Sequence, residues 1–159
     1  MFKYIRVLSV IGLAMLFWGC GGGGGTTSSA GGGNTGGGTT SGTTTVKIAI
    51  NAKTVRSLRF DVTYDASKVS YKSIAASGVA STAQIMPSDT GSKAAVALAQ
   101  ATDITGPGDV AVLTFTTVSG TPAGGDFTLT LTEASGFDEN TQSTTSVTGV
   151  NLSASVTNN

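Results

Sequence analysis

The sequence contains no histidine, and among its 159 residues it has one cysteine and one tryptophan. Without histidine, the chain lacks the usual general base near neutral pH and the commonest nitrogen ligand of protein-bound metals. The single cysteine has no disulfide partner within the chain. A histidine-based catalytic triad and an intramolecular disulfide are therefore excluded.

Charged residues are scarce as well, at 11% of the sequence, and nine basic residues balance nine acidic ones. The chain has no basic cluster of the kind that binds nucleic acid. Its acidic residues are scattered over predicted turns and loops, and no pair stands out as the two facing carboxylates of a glycosidase. We therefore interpret the chain as a non-catalytic protein that does not bind nucleic acid.

The N-terminal stretch, residues 1–20, has the three parts of a bacterial export signal. It has a positively charged start, an uncharged apolar run over residues 7–18 and a small residue before Cys20. The run is shorter than the about 20 residues that a membrane-spanning helix needs. The sequence L-F-W-G-C, which ends at Cys20, resembles the lipobox of bacterial lipoproteins, although two of its residues are bulkier than usual. We predict a lipoprotein signal over residues 1–19 and a lipid anchor on Cys20 as the chain's only attachment to a membrane.

A low-complexity segment follows, because residues 21–45 consist only of Gly, Thr, Ser, one Ala and one Asn. This composition cannot bury enough apolar surface to offset the entropy lost on ordering. With no strand before it, no helix after it and no lysine, it does not match a phosphate-binding loop. We expect residues 20–45 to tether the lipidated cysteine to a folded domain, with a reach of roughly 28 Å. Gly21 after the cysteine favours, by analogy with Gram-negative lipoproteins, the outer membrane and the cell surface.

Residues 46–159 have the pattern of a β-sandwich. The clearest strand has apolar side chains at every second position, which predicts one buried face made of Leu58, Phe60, Val62 and Tyr64. An Asx-type turn at Asp65 follows it. The other predicted strands are 46–51, 69–74, 84–86, 93–99, 109–118, 127–132 and 147–156, and residues 134–146 are predicted as a polar loop. Short strands with Gly/Pro turns and no convincing helix favour a sandwich or barrel.

Three blocks within residues 46–156 resemble the cohesin family. The family's strand, Tyr-Asp pair and following turn are matched by S-L-R-F-D-V-T-Y-D-A-S-K-V at 57–69. Its loop and central strand are matched by A-T-D-I-T-G-P-G-D-V-A-V-L-T-F-T-T-V at 101–118. Its last two strands are matched by F-T-L-T-L-T-E-A-S-G-F-D-E-N at 127–140 and V-N-L-S-A-S-V at 150–156. The resemblance implies an all-β jelly-roll sandwich of about eight to nine strands that docks dockerin modules in cellulosomes and related surface assemblies.

The resemblance also implies a partner-binding surface. In the family, the outward side of the strand at 57–63 and the loop before the central strand face the partner. This chain carries Arg59 where an acidic residue is typical. The residues predicted to bind a protein partner are Ser57, Arg59, Asp61, Thr63, Lys72, Thr105, Gly106, Gly108 and Asp109.

Two other functions stay open at this level. A polysaccharide-binding module is the first, since cohesins resemble some carbohydrate-binding modules in fold. Sugar stacking uses exposed aromatic rings, and Tyr71 is the ring that the pattern leaves exposed, since Trp18 lies in the predicted signal. The second is a structural envelope or adhesion subunit that associates through unpaired sheet edges.

Calcium is the one cofactor that the polar residues of the predicted polar loop and the nearby Asp126 suggest. Asp126, Asp138, Glu139 and Asn140 carry the side-chain oxygens that calcium prefers. Their spacing does not reproduce an EF-hand loop, and the solubility of a polar loop explains them equally well. We predict no cofactor with these residues, and calcium stays an alternative.

Lipidation of Cys20 is testable in bacteria that are fed an alkyne-labelled fatty acid. We expect the full chain to incorporate the label and to fractionate with membranes. The Cys20→Ala variant loses both properties, because two or more acyl chains are what holds a lipoprotein firmly in a bilayer. Ser28→Ala, a change within the tether, serves as the control and keeps both. Label on the Cys20→Ala variant would contradict the prediction.

Overall fold

Nine strands make up the part of the chain that the computed structural model describes, residues 42–159. They are β1 (Thr43–Ile50), β2 (Thr54–Tyr64), β3 (Val69–Ala76), β4 (Gln84–Asp89), β5 (Lys93–Thr105), β6 (Gly108–Thr117), β7 (Phe127–Asp138), β8 (Ser143–Ser146) and β9 (Leu152–Asn158). Within this range no helix is long and apolar enough to cross a bilayer. The predicted signal, Cys20 and tether residues 21–41 lie outside the described residues.

The strands form two antiparallel sheets that pack face to face. The four-stranded sheet has the order β3-β6-β1-β9, and the five-stranded sheet has the order β4-β5-β2-β7-β8. Because strands that are consecutive in the chain repeatedly lie in different sheets, the chain crosses from one layer to the other, as in a jelly roll. The prediction of a jelly-roll sandwich of eight to nine strands is confirmed.

The core is built from the inward side chains of both sheets. Leu58, Phe60, Val62 and Tyr64 on β2 are all buried, as the alternation predicts. Phe115 on β6 faces them from the other sheet, with its ring centroid 5.0 Å from that of Tyr64 in an edge-to-face arrangement. Aromatic pairs prefer this geometry, so the contact ties the two layers together at the end of β2.

The turn after β2 is held by carboxylates. Asp65 accepts hydrogen bonds from the Ser67 backbone N–H (2.9 Å) and hydroxyl (2.6 Å), which lower the pKa of Asp65. This is the predicted Asx turn. The Lys68 ammonium donates to Asp126 (2.7 Å), and this bond lowers the pKa of the Asp126 carboxyl. The pair joins the turn to the start of β7 at one end of the sandwich.

Strand β1 begins at Thr43, three residues before the alternation at Val46 predicts it. It pairs with β6 on one side and β9 on the other, so it lies inside its sheet. The buried Thr44 hydroxyl donates to Asn158 (2.9 Å). Ladder bonds on both sides and this side-chain bond hold a threonine run that has no apolar pattern of its own.

Two predicted strand boundaries were wrong, the end of β4 and the start of β9. Strand β4 does not stop at Pro87 but continues to Asp89. It is the edge of its sheet, where a proline is tolerated because one side of the backbone has no ladder to join. Strand β9 begins at Leu152, later than the predicted start at residue 147.

The predicted loop at residues 134–146 was also wrong. Strand β7 continues to Asp138, and β8 pairs back onto it from Ser143 to Ser146. The side chains of β8 are all exposed and polar, so they show no alternation that a sequence pattern would detect. Backbone hydrogen bonds to β7 define this strand, with little help from side-chain burial.

The interlayer aromatic contact predicts the effect of one core substitution. Phe115→Ala should lower the free energy of unfolding by about 3–5 kcal/mol, because it removes a fully buried ring and leaves a cavity. Val118→Ala, one residue beyond the end of β6 and half exposed, should change it by less than about 0.5 kcal/mol. Urea denaturation followed by circular dichroism measures both. Equal losses in the two variants would contradict this account of the core.

Candidate binding face

The outer face of the five-stranded sheet presents side chains from four adjacent strands in ordered rows. Its strand register brings two rows together at the centre. One row is Met86, Ala97, Arg59 and Glu133, and the next is Ser88, Ala95, Asp61 and Thr130. The face is therefore apolar on the side of β4 and β5, charged along β2 and rich in hydroxyls on β7.

Charged side chains alternate in sign across this face. Arg59 Nη1 lies 3.7 Å from Glu133 Oε2, which is longer than a hydrogen bond, and the two side chains are 67% and 52% exposed. Lys93 Nζ donates to Asp61 Oδ2 at 3.1 Å. Exposed pairs of this kind contribute little to stability. Their charges therefore remain accessible to a binding partner.

A concavity lies along β5 on the same face, and we call it the alanine trough. Its floor consists of the small side chains of Ala95, Ala97 and Ala99, and Met86 and Arg59 stand on its two sides. Its wider part has a volume of about 270 Å³. Met86 is 66% exposed, although most large apolar side chains in the described part of the chain are buried.

The structure brings four of the predicted binding residues together. Ser57, Arg59, Asp61 and Thr63 alternate with the buried residues of β2, so their side chains lie on the outer face. Thr105 lies opposite Thr54 at the start of β2, where the sandwich ends. The predicted surface therefore runs from the centre of the sheet to one of its ends.

The predicted glycines of the β5–β6 loop have a packing role. A Cβ at Gly106 would lie only 2.0 Å from the Asn51 carbonyl oxygen, and one at Gly108 would lie 2.7 Å from Val79. Gly106 N–H donates to the Lys53 carbonyl at 2.9 Å. These glycines let the loop press against its neighbours, and they offer no side chain to a partner.

Lys72 does not belong to this surface. It lies on β3 in the four-stranded sheet, beside an irregularity in the pairing with β6. Strands β2 and β3 follow each other in the chain, but the turn at Asp65 carries the chain into the other layer. The prediction that Lys72 continues the binding face was wrong for this reason.

Asp109 also lies in the four-stranded sheet, where it pairs with Ala49 on β1. Its side chain is partly buried. The loop from Thr105 to Asp109 therefore leads from one sheet to the other at the end of the sandwich. Only the beginning of this loop adjoins the outer face of the five-stranded sheet.

Comparison with known proteins identifies the family. A model of the cohesin domain matches residues 34–156. The chain belongs to the cohesin family. Among solved structures, this cohesin is similar to the seventh ScaB type I cohesin from Pseudobacteroides cellulosolvens, with a TM-score of 0.52 and 20% sequence identity over 67% of this chain and 75% of that chain. A search of curated proteins gave no significant match.

Membership of the family has a functional meaning. Cohesin domains are non-catalytic modules that dock proteins in cellulosome-like systems. A protein partner is therefore the ligand class that this cohesin shares with its family.

Arg56 is a residue of the site region that the sequence did not reveal. The β2–β5 register shifts between Val55 and Ser57, so Arg56 sits at an irregularity where simple alternation fails. Its guanidinium donates to Asp103 (2.7 Å) and Glu139 (2.8 Å), and these bonds raise the pKa of Arg56. It also lies 4.6 Å from the centroid of the Phe137 ring. Arg56 thus joins β5 and the β7–β8 hairpin of this cohesin to β2.

Asp126 does not lie near the other three residues considered for calcium, which are consecutive at the β7–β8 turn. Asp126 directly precedes the twelve-residue strand β7 and Asp138 ends it, so the two lie roughly 40 Å apart along the strand. Asp126 binds Lys68, and Asp138 accepts the Asn140 backbone N–H at 2.9 Å, which lowers the pKa of Asp138. Across residues 42–159, no three His, Cys, Asp or Glu residues form a group able to hold a metal.

The Arg56 contacts predict how firmly the hairpin is held. In the Arg56→Ala cohesin, amides of the β7–β8 ladder should exchange with deuterium faster than in the wild type, because the hairpin turn loses the side-chain bond between Arg56 and Glu139. Arg59→Ala is the matched control, since its ion pair is longer and exposed. Mass spectrometry of peptides covering residues 135–146 measures the exchange. Unchanged exchange in Arg56→Ala would show that the hairpin is held by its backbone ladder alone.

Proposed function

We propose that this cohesin is a lipid-anchored docking module at the bacterial cell surface and that it binds a protein partner through the outer face of its five-stranded sheet. The observation that carries the proposal is the combination on that face of accessible charges with the alanine trough. Protein interfaces commonly join an apolar centre to polar surroundings that set specificity.

The partner in this proposal is a dockerin-like module or another extracellular protein. Family membership supports the general class. Arg59 adds a chain-specific feature, because it puts a cation at the centre of the face beside Asp61. A partner adapted to this face has to match both signs of charge, and specificity arises as much from rejecting wrong charges as from attracting right ones.

The two ends of β1 show which end of the proposed surface lies far from the point where the chain enters the sandwich. The chain enters β1 at Thr43, whose N–H donates to the Asn159 carbonyl (3.0 Å). At the other end of β1, Ile50 pairs with Gly108, next to the β5–β6 loop. The beginning of the proposed surface, near Thr105, is therefore at the opposite end of β1 from Thr43. The predicted tether would then end before β1 and leave that end of the sandwich accessible.

Polysaccharide binding has less support. Tyr71 is partly buried and packs edge-to-face against Phe115, with centroids 5.9 Å apart. This packing contradicts the expectation of an exposed ring. Phe137 is partly covered by Arg56. Neither ring in this part of the cohesin forms a flat platform for a sugar.

A matched pair of charge reversals tests the docking face. We expect the immobilised cohesin to capture a protein from the secreted fraction of its organism. Arg59→Glu should weaken the affinity for that purified protein by at least about tenfold, since it places a like charge in a complementary interface. Lys47→Glu makes the same change on the exposed surface of the four-stranded sheet and should leave the affinity unchanged. Isothermal titration calorimetry measures both.

The opposite results are equally clear. Equal affinities of the Arg59→Glu and Lys47→Glu variants for the captured protein would show that it binds outside the outer face of the five-stranded sheet. Failure to retain any protein would count against the docking function itself.

A further inference from the structure

The alanine trough has the dimensions of a receptor for one side chain. Ala97 separates Met86 on β4 from Arg59 on β2, and adjacent strands are about 4.8 Å apart, so the two walls stand roughly 10 Å from each other. An alanine leaves most of that width empty. The result is an open, narrow depression and not a cleft for an extended ligand.

The lining of the trough is mainly apolar. Its floor is made of alanine methyl groups, and one wall is the exposed Met86 side chain. A thioether side chain is flexible and adapts its shape to what it contacts. An aliphatic side chain inserted here would remove both Met86 and the alanines from water, which is the favourable part of such an interaction.

The opposite wall supplies a charge that is only loosely paired. Arg59 is 67% exposed, and its nearest carboxylate oxygen, on Glu133, is 3.7 Å away. Glu133 accepts a hydrogen bond from the Ser135 hydroxyl (3.2 Å) through its other oxygen. The planar guanidinium of arginine forms two parallel hydrogen bonds with a carboxylate. Arg59 is therefore suited to a carboxylate that arrives from outside.

Asp61 restricts which anions fit. It lies two residues from Arg59 on the same face, a step of roughly 6.6 Å along the strand, and its partner Lys93 donates to it. Its negative charge disfavours a multiply charged group such as a phosphate more strongly than a single carboxylate. The site thus favours a carboxylate over a phosphate.

We propose that the alanine trough receives an aliphatic side chain of the docked protein and that Arg59 selects a partner with a carboxylate beside that side chain. This deepens the docking function proposed above and rests on it. Met86 and Arg59 are then specificity determinants, one for apolar contact and one for charge.

Selection of binders from a library tests the proposal without knowledge of the natural partner. The probe is a phage-displayed library of small folded proteins with randomised surface residues, panned on the full chain in mild detergent. Clones directed at the trough are those that lose at least about tenfold in affinity on Met86→Asp. The Lys47→Glu protein is the control and should bind them unchanged. Met86 is exposed, and unchanged urea midpoints check that its substitution leaves the fold intact.

We expect most trough-directed clones to carry Asp or Glu next to Leu, Ile, Val or Met. Changing that acidic residue to its amide should weaken binding to the wild type by about tenfold but have little effect on binding to Arg59→Gln, because the carboxylate then has no guanidinium to meet. Panning on Arg59→Glu should yield basic residues at the same place.

Two results would overturn the proposal. Trough-directed clones that lack the acidic residue would show that Arg59 does not select a carboxylate. The absence of any clone sensitive to Met86→Asp would show that the trough does not receive a side chain. Both are separable from failure of the docking function. If the captured natural partner is indifferent to Arg59→Glu while library clones behave as expected, the docking face is wrong and the chemistry of the trough stands.

Discussion

The burial of one face of β2 is the constraint on which the rest of this cohesin depends. Side chains in a strand alternate strictly, so burying Phe60 and Val62 against the other sheet forces Arg59 and Asp61 outward. A slip of one residue would place two charges in the core. The same interaction therefore stabilises the sandwich and presents the charges of the proposed docking face.

The alternation of side chains along β2 is interrupted at a register shift, and a turn after the strand carries the chain into the other sheet. The irregularity before Ser57 releases Arg56 from the alternation and lets it reach Asp103 and Glu139. The turn at Asp65 moves the chain from one sheet to the other. These local departures decide which residues are neighbours across strands, and no period along the sequence contains that information.

The docking face is a product of several strands. Arg59 and Asp61 come from β2, but the alanine trough exists because β5 lies between β2 and the edge strand β4. The charge and the apolar wall belong to residues that are 27 positions apart in the sequence, Arg59 and Met86. Strand pairing places these two side chains on either side of Ala97. The face therefore combines an apolar wall with a cation, and neither strand supplies both.

The sequence alone determined the β class, the inner face of β2 and the outward position of Arg59, because these follow from a period of two along a single strand. It also indicated the family, because three blocks along the chain resemble cohesin motifs in the same order and at similar spacing. Only the tertiary structure decided that Lys72 lies on the other sheet, that β8 forms a strand and that Met86 faces Arg59. Those facts depend on which strands pair, and pairing between distant segments is set by the packing of the whole sandwich.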